Sequence, residues 1–248
     1  GDTDRANGFG SAGSRSLFTG GGAVQVASER TVAHARDLAA EALEAAASDI
    51  EYRQGVFRVV GTDLKVGLFD LAGRQGGGRI TVSAESVAGA PSWPNGAHVC
   101  EVEVDPDTGE VQIVGYVSVN DIGRVVSPQI VQGQLEGGAV QGIGQALCER
   151  MVYDESGQLL TASFMDYALP HADGFRDFVT RFDTSVPCRT NVLGVKGVGE
   201  LGTIGATPGV VNAVVDALVA AGVDVARAQA VQMPLEASRV WAALQTRG

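Results

Sequence analysis

Apolar positions recur at helical spacing in three long stretches and alternate with polar ones in several short stretches, and this contrast sets the predicted elements. Ala23 to Ala47 reads as an alanine-rich helix. Ser127 to Met151 reads as a second, with Ser127 as N-cap and Pro128 at the first helical position, where a missing N–H costs nothing. A third is predicted to open at Pro208, with Val210, Val211, Val214, Val215, Leu218 and Val219 on its buried side, and a short helix closes the chain from Pro234 to Leu244. Strands are predicted at Val56 to Val60, Arg79 to Val87 and Ala97 to Val104, with a helix at Thr62 to Ala72. The turn Asp105-Pro106-Asp107-Thr108-Gly109-Glu110 joins the strand before it to Val111 to Val119 as a hairpin; Asp154-Glu155-Ser156-Gly157 is another turn and Phe178 to Phe182 a further strand. Helices interspersed with hairpin strands, rather than regular βαβ units, give the fold class α+β. With 248 residues, 45% of them hydrophobic, the chain can bury a sizeable core, as one region spanning 1–248 with room for two sub-domains.

Charge narrows the partners. A net charge of −11 and a pI near 4.7 argue against nucleic acid or an anionic membrane surface as partner, so any bound anion must be held locally. No apolar run reads as long enough to span a bilayer and no charged-then-apolar leader is present; the expectation is a cytoplasmic protein. The first residue is Gly1, and the glycine-rich opening reads as the interior of a domain. Cys100, Cys148 and Cys188 are widely separated with no C-x-x-C, so they carry no metal or redox signature, and three thiolates cannot hold an iron–sulfur cluster. They read as small buried hydrophobes, and the isolated His34, His98 and His171 as surface or core residues.

Candidate chemistry gathers at Gly194 to Gly209, GVKGVGELGTIGATPG, which sets one carboxylate, Glu200, among six glycines. Glycine-rich loops bring backbone N–H groups close to a ligand. A carboxylate is out of place beside phosphates, so Glu200 points past an anion toward a reacting centre, or else it caps a helix or is simply solvated. Gly197-Val198-Gly199-Glu200-Leu201-Gly202 is also a formal dinucleotide fingerprint, but Pro187, Cys188, Arg189, Thr190 and Asn191 before it read as loop, where the fingerprint needs a strand. Residues 8–22 form a second glycine and serine loop, in which Ser11, Ser14, Ser16 and Arg15 could hold an anion or serve as a flexible, capped N-terminal segment. In the second long helix, Gly133, Gly137, Gly138, Gly142 and Gly144 let another backbone approach; Gln132, Gln134, Gln141 and Gln145 could read a polar heterocycle or lie on the surface.

Four stretches together resemble one family: GSRS at Gly13 to Ser16, QGQLEGGAVQGIGQAL at Gln132 to Leu147, SFMDYALP at Ser163 to Pro170 and LGVKGVGELGTIGATPGVVNAV at Leu193 to Val214. The chain is similar to the C-terminal portion of the molybdopterin-binding large subunit of the xanthine oxidase family of molybdenum hydroxylases. That resemblance implies a molybdenum–molybdopterin cofactor, in the cytosine dinucleotide form. It implies Glu200 as general base beside molybdenum, and cofactor contacts from Ser11, Ala12, Gly13, Ser14, Arg15, Ser16, Gln141, Lys196, Gly197, Val198 and Gly199, with no direct protein ligand to the metal. The activity implied is oxidation of an aldehyde, a purine, an N-heterocycle or carbon monoxide with oxygen from water. The partners implied are an N-terminal part of the molybdopterin subunit on another chain, a [2Fe–2S] subunit and an FAD subunit. Two other readings stand beside it: a dinucleotide-binding module using Gly197, Gly199 and Gly202, and a scaffold subunit without its cofactor.

Overall fold

The computed structural model describes residues 8, 10–175 and 177–245; Phe9 of the predicted N-terminal loop lies outside them. The chain divides into two units. One comprises Ser16–Pro91 with Arg189–Leu193, the other Gly1–Arg15, Ser92–Cys188 and Gly194–Gly248.

In the smaller unit a π-helical turn, Leu17–Gly21, runs into α1 (Gly22–Leu43). The helix stops at Leu43 rather than Ala47 because Glu44 turns left-handed at φ +52°, its N–H donating back to Ala40 and Glu41 carbonyls. β1 (Ile50–Arg53), β2 (Val56–Val59) and β3 (Lys65–Gly67) form an antiparallel sheet in that order, followed by α2 (Leu68–Arg74). Ala35 and Ala39 present almost no side chain, so α1 lies close over Ile50, Phe57, Val59, Val66 and Leu71. The predicted helix at Thr62 to Ala72 is thus divided. Residues 65–67 are captured by β2, Val66 pairing opposite the fully buried Phe57, residues 62–64 lie in the bend before them, and the helix begins only at Leu68. The predicted strand Arg79 to Val87 has no strand partner among the described residues, although its side chains from Ile80 onward alternate between half-buried and exposed.

In the larger unit β4 (Asn95–Val104) and β5 (Val111–Asp121) form a hairpin with a register shift at Glu101/Val102. α3 (Pro128–Leu147) then leads to β6 (Phe178–Asp183), which lies parallel to β5. Tyr116 of β5, fully buried, stacks on Phe178 of β6 with ring centroids 4.7 Å apart. α4 (Leu201–Ala220), α5 (Val225–Gln229) and α6 (Ala237–Leu244) follow. The α+β class is as predicted. α3 ends at Leu147, four residues before Met151, and Ser127 occupies the N-cap position without a side-chain capping bond. The closing helix begins at Ala237, not Pro234, and α5 and β1 were not predicted.

The largest correction concerns α4, which opens at Leu201 and carries Pro208 in its interior. An interior proline removes one helical N–H and costs stability. Here the cost is offset by burial on both sides of it: Ala206 and Val210 pack with Ile113, Tyr116 and Ile143, while Val214 and Leu218 pack with Leu235, Val240 and Leu244. α4 is also long and apolar enough to cross a membrane by length and composition, contrary to the sequence reading; Val210, Val214 and Leu218 on it are fully buried in the clusters just described.

Candidate functional site

The segment Gly194 to Glu200 is fixed at its base before it reaches the helix. Val195 forms an isolated bridge with Gly123, and the Lys196 N–H donates to the Ile122 carbonyl at 3.0 Å. The Lys196 ammonium donates to Asp121 Oδ2 at the end of β5. Burial works against ionising Asp121, but hydrogen bonds from Lys196 and from the Gly123 N–H, together with the Lys196 charge, outweigh it and hold the carboxyl below its usual range. The Lys196 side chain is therefore a brace inside the protein. Val198 faces inward as well, among Ile122, Leu135 and Leu201.

With those two side chains turned inward, Gly197 and Gly199 present bare backbone to the N-terminal loop. A Cβ at Gly197 would fall 2.5 Å from the Ser14 carbonyl oxygen and 2.8 Å from the Ser14 Cβ, so only glycine admits this approach. Ser14, held at φ +57°, places its hydroxyl against Glu200 twice: it donates to Oε2 at 2.9 Å and accepts from the Glu200 N–H at 3.1 Å. Glu200 occupies the N-cap position of α4, yet its side chain makes no capping bond. The exposed carboxylate lies at the positive end of the helix, a favourable place for an anion.

Small residues bring α3 and α4 together directly behind Glu200. A Cβ at Gly202 would run into the Leu135 carbonyl, and one at Gly142 would lie 2.9 Å from the Ala206 Cβ, so the backbone approach predicted for α3 is made by α4. Thr203 and Thr207 donate to the carbonyls of Gly138 and Gly142 and also face Gln141 Oε1 at 3.4 Å and Gln145 Oε1 at 3.2 Å. A row of exposed amides, Gln134, Gln141 and Gln145, thus flanks the helix start, and a Cβ at Gly199 would be 3.6 Å from Gln134 Oε1.

A cavity of about 400 Å³ opens beside Glu200, lined by Ser14, Gly197, Glu200, Trp93, His98 and Ile204. In the sequence His98 stands as an isolated histidine of the surface or core. Its Nδ1 lies 2.6 Å from the Tyr116 hydroxyl, its Nε2 is buried without a partner among the described residues, and its ring fills the space a Gly205 side chain would need. Burial lowers the His98 pKa and raises that of Tyr116. The signal was present in the alternation His98, Cys100, Val102 along β4, which puts all three on the inner face. Cys100 is half-buried and its thiol is pushed up to about 11 by burial, in keeping with a packing role.

Of the predicted site residues, Ser14, Gly197, Gly199 and Glu200 meet, with Gly13 lining the same cavity and Gln141 beside the first turn of α4. Ser11 and Ala12 are exposed on the approach, Arg15 is half-buried, and Ser16 opens the π-helical turn of the smaller unit. The formal dinucleotide fingerprint lacks its setting, since a single bridge rather than a strand precedes Gly197 and Gly202 packs on a helix.

Residues 1–175 match the family model of the molybdopterin cofactor-binding domain. The chain belongs to the xanthine oxidase family of molybdopterin-binding large subunits. Among other members of this xanthine oxidase family, the 6-hydroxypseudooxynicotine dehydrogenase complex subunit gamma of Paenarthrobacter nicotinovorans is 39% identical over 224 residues, 86% of this chain and 28% of that one. The carbon monoxide dehydrogenase large chain of Hydrogenophaga pseudoflava is 33% identical over 99% of this chain and 31% of its own. The solved quinoline 2-oxidoreductase of Pseudomonas putida 86 superposes with a TM-score of 0.79 at 32% identity, covering 99% of this chain and 32% of that one. The chain thus spans less than a third of the length of these relatives.

The residues present suit a molybdopterin. Amides, threonine hydroxyls and a glycine backbone at a helix N-terminus match the donors and acceptors of a pterin ring and the anionic groups attached to it. Among the described residues no group of three or more His, Cys, Asp or Glu side chains is placed to hold a bare metal ion.

Proposed function

We propose that this chain is the C-terminal molybdopterin-binding region, 1–248, of a molybdenum hydroxylase that oxidises an aldehyde, a purine, an N-heterocycle or carbon monoxide, and that Glu200 is its general base. The observation that carries the reading is the exposed Glu200 carboxylate at the N-terminus of α4, next to the Gly197 and Gly199 backbone on which Ser14 is seated. When bound, the molybdenum cofactor supplies the oxidising centre and the means of activating water. Glu200 Oε1, the carboxylate oxygen opposite the Ser14 bond, takes up the proton released as water adds to the substrate. Gln141 and, from the N-terminal loop, Ser11, Ala12, Gly13 and Arg15 hold the cofactor, which we take to be the cytosine dinucleotide form. Electrons leave through [2Fe–2S] and FAD centres on partner chains, and an N-terminal part of the molybdopterin subunit completes the site.

Glu200→Gln in the assembled enzyme tests this. The amide keeps size and reach but cannot accept the proton, so turnover per molybdenum should fall by about 10² to 10⁴ while molybdenum content is unchanged. Retention of more than about a tenth of wild-type turnover would remove Glu200 from the mechanism.

A further inference from the structure

Ser14 and Glu200 stand 186 residues apart in sequence, yet one hydroxyl serves both the carboxylate and the main-chain N–H of the same glutamate. A hydroxyl that donates to Oε2 while accepting from N fixes the side chain relative to its own backbone, since both ends of the residue are tied to a single atom. The arrangement is held from behind. Gly197 seats the Ser14 main chain, and a Cβ at Gly199 would lie 3.0 Å from Ser14 Oγ, so the serine is packed on both glycines of the loop. An exposed glutamate would otherwise sample several rotamers, and a base that must meet one proton loses rate when its position is not fixed.

We propose that Ser14 is a positioning residue for Glu200: its hydroxyl selects the carboxylate rotamer and leaves Oε1 as the oxygen turned to the reaction. This rests on Glu200 being the general base. It separates Ser14 from the neighbours assigned to the cofactor, because its hydroxyl acts on a protein carboxylate rather than on the pterin or its phosphates.

The test is a double-mutant cycle on the assembled holoenzyme, with Ser14→Ala, Glu200→Gln and the pair, reading kcat, KM and molybdenum content. Ser14→Gly repeats the cycle without the hydroxyl in a residue that adopts φ +57° freely, so that backbone strain is not mistaken for the effect. The expected result is a fall in kcat per molybdenum of roughly ten- to a hundred-fold in either Ser14 variant, with KM and metal content near wild type, and no further loss when Ser14 is changed in the Glu200→Gln background. Hydrogen exchange at the Glu200 amide should also quicken, since its acceptor is gone. A slow Glu200→Gln enzyme that loses the same factor again on Ser14→Ala would overturn the positioning role alone. Molybdenum loss in both Ser14 variants would overturn it in favour of a cofactor contact. Full turnover in Glu200→Gln would remove the general-base reading, and the inference with it.

Discussion

Lys196 Nζ lies 2.5 Å from Asp121 Oδ2, four residues ahead of Glu200, so the approach to the candidate base is anchored by an ion pair to the last residue of β5. The lysine side chain is 9% exposed and the aspartate 22%. Removing one member of so covered a pair leaves the other charge without its counterion. Lys196→Met or Asp121→Asn should lower stability at neutral pH by about 3 kcal/mol. The Asp121 carboxyl is held below its usual range in the folded state, so its contribution is present above the unfolded value of about 3.9 and is lost as pH falls through the lower, folded value. Denaturant titrations of wild type and Asp121→Asn should therefore run at a constant separation above about pH 4 and converge below it. A separation unchanged into stronger acid would exclude the pair as its source.

The α3–α4 contact makes a paired prediction. Gly202→Ala would push a methyl into the Leu135 carbonyl between two packed helices, whereas Gly133, on the same α3, has nothing within 4 Å of a Cβ. The first change should destabilise by about 1 to 3 kcal/mol or more. The second should stabilise by about 0.5 to 1 kcal/mol, through lost freedom in the unfolded chain. Equal melting shifts of the same sign would contradict the packing described.

His98 should make stability depend on pH in a defined window. Burial depresses its folded pKa below the unfolded value of about 6.5, so the unfolded state binds the proton more readily and stability falls as pH drops below that value. The His98→Gln variant should flatten the slope of melting temperature between pH 7 and 5. An unaltered slope would show that other groups carry it.

The features legible in the sequence are local ones. Helical spacing placed α1, α3 and most of α4, proline at Pro128 marked the start of α3, and Asp105 to Gly109 marked the hairpin turn, because each is decided by neighbours within a few residues. The motifs around Gly197 and Glu200 also sufficed to point to the family and to a single carboxylate. Other features depend on contacts between distant segments. Pro208 looks locally like a helix start, and only the packing of Gly202 and Ala206 on α3 draws the helix back to Leu201 and sets Glu200 at its N-cap. Lys196, read as a cofactor contact, spends its charge on Asp121, 75 residues away, and Ser14 meets Glu200 across 186. His98 acquires its place beside the cavity in the same way, from the inner face of β4 and the bare Cα of Gly205. Contacts between distant residues depend on which surfaces bury one another, and no window of sequence contains both surfaces.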